Sequence, residues 1–278
     1  MIRPLDDNRM TYEQERKKGS FPRRVLSALR SLVDLEQQGL TRSIEEVSVY
    51  ASGELLDVGC GDKPYEPVLG PNVSSYVGLE YSDTYEGTVN EAKGKADVVY
   101  YGDSFPFTNG SFDTVLCTQV LEHVPDPKSL VNEMARVLRP GGHLIVTVPF
   151  SYRLHSEPYD YWRFTKHGLA LLIESAGLSL EYISDRGGFW KVIGQSLCSY
   201  LGFRVAKMER IVQDIGGFSY EAASIERPRY WVLPVIAPLI LLTAIAARIL
   251  DMLFKDESVV LGYLAVASKP LLTDRDPG

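Results

Sequence analysis

The chain has 278 residues, of which 45% are hydrophobic, and a formal net charge of −7. A chain of this length and composition can bury a sizeable core, which excludes an intrinsically disordered protein. Nucleic-acid-binding surfaces need clustered Lys and Arg to neutralise phosphates, so the negative net charge predicts no nucleic-acid partner.

The cysteines and the N-terminal residues indicate a reducing compartment. Cys60, Cys117 and Cys198 lack the spacing of a disulfide framework or a zinc site, and no metal is predicted. The first ten residues contain no apolar segment of the secretory type, so a cytoplasmic protein is expected. The basic stretch KKGSFPRR (17–24) has two interpretations, a face for anionic lipid or the solvated start of a helix.

Helix-like and strand-like segments alternate along the chain. An amphipathic helix is predicted over about 22–36, where apolar residues recur at helical spacing. The strand-like runs that follow are LLDV (55–58), YVGLE (76–80), DVVYY (97–101), FDTVLCTQV (112–120) and HLIVTV (143–148). The clearest helix lies in PKSLVNEMARVLRPGG (127–142), which Pro140 and two glycines are predicted to end. This alternation predicts a doubly wound α/β domain, with a parallel sheet covered on both faces.

Two further strand-like runs are LSLEYISD (178–185) and SVVLGYLAVASKP (258–270), and a helical insertion is predicted between them. The predicted organisation is a helical and basic segment (1–52), a core (53–185 with 258–270), a helical insertion (186–257) and a tail (271–278).

The insertion contains an apolar stretch, VLPVIAPLILLTAIA (232–246), that continues to Ala247 without a charge. Its length is near the lower limit for a spanning helix, and Pro234, Pro238 and Arg248 do not favour one. A single crossing would also separate the final strand from its sheet. Three interpretations stay open: contact of 232–254 with one face of a membrane, burial against the domain or in a homodimer, and a true span.

The first candidate site lies where the run ELLDVGCGDKPY (54–65) leaves its strand. Gly59 and Gly61 allow a tight turn and the close approach of a ligand. The run is not a dinucleotide fingerprint, because Pro64 stands where G-x-G-x-x-G requires its third glycine. Asp57 is unfavourable beside phosphates but suits a ligand that carries an ammonium and a sulfonium group.

Two more acids follow successive strands. Glu80 ends the second strand, where a carboxylate can accept hydrogen bonds from both hydroxyls of a ribose. Asp103 follows the third strand, where an acid can accept from an exocyclic amine such as that of adenine. The carboxyl ends of parallel strands meet at one edge of a sheet, so the three acids together predict a nucleoside site.

These motifs resemble those of the class I S-adenosylmethionine-dependent methyltransferases, and most closely the small-molecule subgroup often called type 11. The resemblance rests on LLDVGCG, VGLE, GDSFPFTNGSFDTVLCTQVLEHVPDP and EMARVLRPGGHLIVTVP, between residues 53 and 150. It implies a Rossmann-like seven-stranded sheet and S-adenosylmethionine as cofactor. It also implies that SVVLGYLAVASKP (258–270) is the last strand and pairs antiparallel with LSLEYISD (178–185) as a hairpin, so that the chain between them leaves the sheet and returns to it. The cofactor-binding residues that it implies are Asp57, Gly59, Cys60, Gly61, Glu80, Asp103, Ser104 and Gln119. His123 of LEHV is expected to have a structural role under the sheet edge.

The acceptor side is predicted in LHSEPYDYWRFTKHGL (154–169), a loop followed by a helix capped at Thr165 and ended near Gly177. We predict His155 as the general base. The residues predicted to shape the acceptor pocket are Tyr159, Asp160, Tyr161, Trp162 and Arg163. In the alternative interpretation Tyr161, Trp162 and Phe164 are core beneath a loop, and Arg163 pairs with Asp160.

The expected activity is transfer of the sulfonium methyl group, by in-line displacement, to a small-molecule acceptor. A hydroxyl of a sugar, a glycolipid or a natural-product intermediate is the favoured target. Membrane contact would fit a lipid-linked acceptor and a position at the inner face of the membrane. A second hypothesis is an inactive S-adenosylmethionine-binding scaffold or partner subunit, although the complete set of cofactor residues favours an enzyme. The absent third glycine disfavours an NAD-dependent oxidoreductase.

Overall fold

A computed structural model describes residues 34–81, 95–207 and 229–271. Within these residues one seven-stranded sheet has the order β3-β2-β1-β4-β5-β7-β6. Its strands are β1 (Glu54–Val58), β2 (Ser75–Tyr81), β3 (Val98–Tyr100), β4 (Phe112–Thr118), β5 (Leu138–Pro149), β6 (Ser179–Arg186) and β7 (Gly262–Ser268). Each apolar run that was predicted as a strand therefore contains one.

The pairing of the strands confirms the predicted doubly wound sheet. β1 lies between β2 and β4, and β3, β2, β1, β4 and β5 all run parallel. β7 is inserted between β5 and β6 and is antiparallel to both, as predicted for the last two strands. Leu55 and Leu56 of β1 are fully buried, as expected for a strand that is covered on both faces.

Helices cover the sheet and form a separate layer beside β6 and β7. They are α1 (Leu35–Glu46), α2 (Glu66–Leu69), α3 (Pro127–Val137), α4 (Lys166–Ser175), α5 (Phe189–Ser199) and α6 (Leu233–Leu253). Thr165 caps α4 as predicted, because its hydroxyl accepts a hydrogen bond from the Gly168 amide at 3.1 Å. Gly177 follows α4 with a φ of +78°, the left-handed conformation that commonly ends a helix.

The structure differs from the prediction at the end of α3. This helix ends at Val137, and β5 begins at Leu138 and contains Pro140. Arg139 precedes a proline, a position that is sterically kept out of the helical region, so the helix stops before it. The strand passes close to Asp113 at Gly142. A Cβ at this position would lie 2.7 Å from the Asp113 carbonyl oxygen, so glycine is required there.

The helix predicted over about 22–36 falls largely on residues outside the described part. The described α1 begins instead at Leu35, where the Asp34 carboxylate caps it by accepting from the Gln37 amide at 3.1 Å. A buried ion pair at 2.8 Å between Glu36 and Arg186 then ties α1 to the edge strand β6.

Between β6 and β7 the chain forms α5, a π-helical turn (Tyr200–Val205) and α6. α5 and α6 pack closely through small residues, since a Cβ on Gly194 would lie 2.4 Å from the Ala247 Cβ. Among the described residues one helical segment, Tyr230–Leu253, has the length and apolar composition to cross a membrane. Most of its side chains are not covered by the rest of the protein.

Candidate functional site

Asp57 lies at the carboxyl end of β1 and is almost completely buried. Its Oδ2 accepts a hydrogen bond from the Tyr76 hydroxyl at 2.7 Å, across the β1–β2 pair. Its Oδ1 has no hydrogen-bond partner among the described residues. Burial raises the pKa of Asp57 to about 7, although the hydrogen bond from Tyr76 opposes this. The end of β1 therefore presents a buried oxygen without a hydrogen-bond donor in the described part of the chain.

The two positions after β1 are occupied by glycine for different structural reasons. Gly59 has a φ of +71°, and a Cβ there would lie 2.4 Å from Val120 Cγ2, so packing against the loop after β4 requires glycine. Gly61 has a φ of +50°, and a Cβ there would meet nothing within 4 Å. The open space for a ligand is therefore beside Gly61. The side chain of Cys60 is buried and packs close to Gly78 of β2.

Glu80 connects this turn to the end of β2. Its Oε1 accepts a hydrogen bond from the Gly61 amide at 2.7 Å. A second connection joins the buried side chain of Lys63 to Asp97, which also accepts from the Gly78 amide at 2.7 Å. Both contacts hold the glycine turn against β2. The side chain of Glu80, which was predicted to bind the ribose, is therefore fixed in position by the turn.

The remaining predicted cofactor residues lie after the neighbouring strands. Asp103 and Ser104 are exposed just after β3. Gln119 follows β4 with a φ of +56°, and its amide and side chain donate to the Thr147 carbonyl and hydroxyl at 3.0 and 3.3 Å. All three residues therefore follow the carboxyl ends of parallel strands, the ligand-binding edge of this type of sheet.

The loop predicted to form the acceptor side is braced by one ion pair. The Arg163 guanidinium donates to both oxygens of Asp160, at 2.7 and 2.8 Å, and the His155 amide donates to the same carboxylate at 2.9 Å. Burial would raise the pKa of Asp160, but these hydrogen bonds outweigh it and hold this pKa at about 2. The pairing of Arg163 with Asp160, the alternative raised by the sequence, is therefore present.

Two histidine side chains lie against each other beside the ion pair of Arg163 and Asp160. The rings of His123 and His155 are edge to face, with centroids 4.7 Å apart. Burial and then the neighbouring His123 lower the pKa of His155 to about 4, and burial also lowers the pKa of His123. His123 is hydrogen-bonded through Nδ1 to the Tyr159 carbonyl oxygen at 2.6 Å, the kind of structural contact that was expected for it.

The other predicted acceptor residues have mixed surroundings. Tyr159, Tyr161 and Trp162 are exposed, so Tyr161 and Trp162 are not core beneath the loop. Phe164 is partly buried and packs against the core, as the alternative interpretation expected. The Trp162 indole donates to the Val124 carbonyl oxygen at 3.0 Å, and the backbone amides of residues 161 and 162 donate to the Glu122 carbonyl oxygen. The loop is thereby fixed to the segment after β4, where Gln119 lies.

Several residues of the site were not predicted. Tyr76 reaches Asp57 only because β1 and β2 pair in this register, and Lys63 reaches Asp97 over a distance of 34 residues in sequence. Glu122 is fully buried, and burial raises its pKa to about 8. The motif LEHV contained the only sequence signal for Glu122, which is its position beside His123.

The geometry fits S-adenosylmethionine in three respects. Asp57 Oδ1, which has no hydrogen-bond partner within the described ranges, suits an ammonium group, and the space beside Gly61 allows a ligand to approach the backbone. Glu80 and Asp103 lie at the next two strand ends, in the positions expected for contacts to ribose and adenine.

Comparison with known proteins adds to this geometry. Residues 56–146 match the family model of a methyltransferase domain. An uncharacterized methyltransferase of Mycobacterium sp. (strain JLS) is 40% identical over 95 residues, which cover 34% of this chain and 37% of that protein. The match thus spans well under half the length of this relative.

Two other relatives have more specific names. A ubiquinone biosynthesis O-methyltransferase of Thiobacillus denitrificans is 28% identical over 169 residues, covering 51% of this chain and 72% of that protein. A 27-O-demethylrifamycin SV methyltransferase of Amycolatopsis mediterranei is 35% identical over 102 residues, which cover 34% of this chain and 38% of that protein. Among solved structures, an S-adenosylmethionine-dependent methyltransferase from Mesorhizobium loti is 12% identical with a TM-score of 0.44, covering 81% of this chain and 96% of that one.

Proposed function

Because this chain contains a class I S-adenosylmethionine-dependent methyltransferase domain, we propose that the protein transfers a methyl group from S-adenosylmethionine to a hydroxyl of a small molecule. The observation that carries the proposal is the set of acids at successive strand ends, with an open approach at Gly61. Bound S-adenosylmethionine supplies a methyl group that is already activated for nucleophilic attack.

The residues of the chain bind and orient the two reactants. Asp57 Oδ1 would accept from the ammonium group, Glu80 from the ribose hydroxyls and Asp103 from the adenine amine, with the Ser104 backbone beside the adenine. Gln119, anchored to Thr147, would line the pocket of the methyl group. This arrangement supplies most of the catalysis that such a reaction needs, namely alignment of the acceptor and exclusion of water.

The names of two relatives support a hydroxyl as the acceptor. Both the ubiquinone biosynthesis O-methyltransferase and the 27-O-demethylrifamycin SV methyltransferase are named for methylation at oxygen. The acceptor loop fits such a target, because the exposed rings of Tyr159, Tyr161 and Trp162 can pack on a ring or an apolar chain. A hydroxyl of a sugar, a glycolipid or a natural-product intermediate is the class that we propose.

We further propose that α6 lies on one leaflet of a bilayer, at the inner face of the membrane. Both charged residues of this helix are bound to the protein. Arg248 donates to Gln38 Oε1 at 2.7 Å, and Asp251 pairs with Lys191 at 2.8 Å. The outward face of α6 is therefore left with apolar residues alone, among them Leu242, 64% exposed.

The residues before the N-terminus of α6 also suit a lipid interface. Tyr230 and Trp231, the latter 79% exposed, precede α6, and aromatic residues of this kind favour the headgroup level of a membrane. β6 and β7 pair with each other, so the chain that leaves the sheet after β6 returns to it, as contact with a single leaflet requires. An acceptor carried by a lipid would then reach the site from the membrane plane.

The activity is tested with methyl-labelled S-adenosylmethionine and a panel of acceptors: a catechol, a nucleotide sugar and a polyprenyl-linked sugar, with an amine and a thiol for comparison. We expect label transfer and S-adenosylhomocysteine formation with a free-hydroxyl acceptor, and none with its O-methylated counterpart. Transfer to amines or thiols alone would contradict methylation at oxygen.

Membrane contact is tested by flotation with vesicles of phosphatidylethanolamine and phosphatidylglycerol. The wild-type protein should float with the vesicles, and a Leu242→Glu, Met252→Glu double variant should not. Leu171→Glu is the matched control, because Leu171 is equally exposed but lies on α4. A wild-type protein that stays in solution as a dimer would indicate that a second copy covers this face.

A further inference from the structure

Three potential metal ligands meet beside the acceptor loop. Glu122, His123 and His155 each provide one ligand atom, and these atoms all lie within 4.8 Å of one another. We propose that this cluster binds a divalent transition-metal ion, such as Zn²⁺ or Mn²⁺.

Glu122 gives the strongest reason for a cation. Its side chain has no exposed area, and neither carboxylate oxygen has a hydrogen-bond partner among the described residues. The His123 ring does not supply the missing charge: its Nε2 lies 3.9 Å from Glu122 Oε1, and burial lowers the pKa of His123. The guanidiniums of Arg163 and Arg186 attract Glu122 without a hydrogen bond to it. A buried carboxylate without partners is strongly unfavourable, and a metal ion coordinated to it would compensate for the lost hydration.

The surroundings of both histidines leave Nε2 available as a ligand. His123 Nδ1 is 2.6 Å from the Tyr159 carbonyl oxygen, so Nδ1 carries the proton and donates. His155 Nδ1 is 3.2 Å from Asp160 Oδ2 and 3.3 Å from the Arg153 carbonyl oxygen, so its proton is placed in the same way. Metal-binding histidines are typically oriented by such a contact to a carbonyl or a carboxylate.

The ligand set indicates the class of metal. Two imidazoles and one carboxylate suit Zn²⁺, Mn²⁺ or Fe²⁺ and leave coordination positions open for another molecule, whereas Mg²⁺ and Ca²⁺ prefer oxygen ligands. The site opens to solvent through the histidines, whose side chains are 22% and 23% exposed. An oxygen of the acceptor can therefore reach the ion.

The role of the ion, which rests on the proposed function, is to activate the acceptor hydroxyl. The ion coordinates the oxygen and promotes loss of its proton to water. The oxygen then forms a bond to the methyl carbon as the carbon–sulfur bond breaks, and S-adenosylhomocysteine leaves as a neutral thioether. In this mechanism His155 is a metal ligand, in place of the general base predicted from the sequence.

The site is tested by calorimetric titration of the chelator-treated full-length protein with ZnCl₂ and with MnCl₂, without S-adenosylmethionine. We expect one equivalent of at least one ion to bind, with a Kd that rises at least tenfold in Glu122→Gln and His155→Ala. His167→Ala is the control and should bind as the wild type, because His167 is an exposed residue on α4, outside the cluster. Circular dichroism and S-adenosylmethionine affinity verify that each variant is folded.

The proposal is overturned if the wild type binds neither ion, or if Glu122→Gln and His155→Ala both bind within twofold of the wild type. Turnover assays separate this result from the proposed function. Methyl transfer to a hydroxyl that survives removal of the metal overturns the role of the ion and leaves the methyltransferase activity in place. Metal binding together with transfer to no hydroxyl acceptor overturns the proposed function and leaves the site.

Discussion

The ionisation of Asp57 should control how cofactor affinity depends on pH. Burial raises the pKa of this carboxyl group to about 7 in the cofactor-free protein. About one molecule in ten then has an ionised Asp57 at pH 6.0, and about three in four have one at pH 7.5. The positive charges of S-adenosylmethionine attract the carboxylate but not the neutral acid. If the ionised form alone binds, the Kd at pH 6.0 is roughly eightfold higher than at pH 7.5, or about 1.2 kcal/mol.

Calorimetric titration with S-adenosylmethionine at a series of pH values measures this effect. Binding at pH 6.5 should also release a proton, which is detected by repeating the titration in buffers of different ionisation enthalpy. Asp57→Asn should weaken binding by about tenfold or more and remove the pH dependence, since the neutral amide cannot titrate. Asp103→Asn, at an exposed acid of the same site, should retain it. An equal Kd at pH 6.0 and 7.5 in the wild type would refute the reasoning.

Three other substitutions distinguish ligand contacts from packing. Gly61→Val should weaken S-adenosylmethionine binding at least tenfold in a titration, because its side chain fills the open space beside the turn, while circular dichroism stays native-like. Gly59→Ala should instead lower the free energy of unfolding in urea by about 1–3 kcal/mol, because its Cβ collides with Val120. Glu36→Ala should cost about 3 kcal/mol in the same urea assay, because it leaves the Arg186 guanidinium buried without its carboxylate. An unchanged unfolding midpoint would show that this ion pair contributes no net stability.

The sheet could be predicted from the sequence because its strands contain short apolar runs. β1 and β4 are covered on both faces, so consecutive apolar residues such as Leu55–Leu56 and Val115–Cys117 are buried in them, and this pattern is easily recognised. The antiparallel pairing of β6 with β7 was implied by the resemblance to the methyltransferase sheet, in which the last strand is antiparallel. The end of α3 was placed incorrectly because its apolar stripe continues into Leu138, which is buried as the first residue of β5.

The cofactor side of the site was more predictable than its supports. Asp57 and Glu80 each end a strand, so the rule for ligand sites in parallel sheets applies to them directly. The contacts of Tyr76 and Lys63 depend on strand register and on a chain return, which one sequence does not specify. The absence of partners around Glu122 is a property of the folded packing, so only the structure reveals it.

We expect the edge of the sheet beside Gly61 to bind S-adenosylmethionine. Calorimetric titration of the purified protein with S-adenosylmethionine, S-adenosylhomocysteine and NAD measures this binding. Both sulfur nucleosides should bind and NAD should not, since Pro64 replaces the glycine that a dinucleotide turn requires. Binding of NAD, or of none of the three ligands, would contradict this expectation.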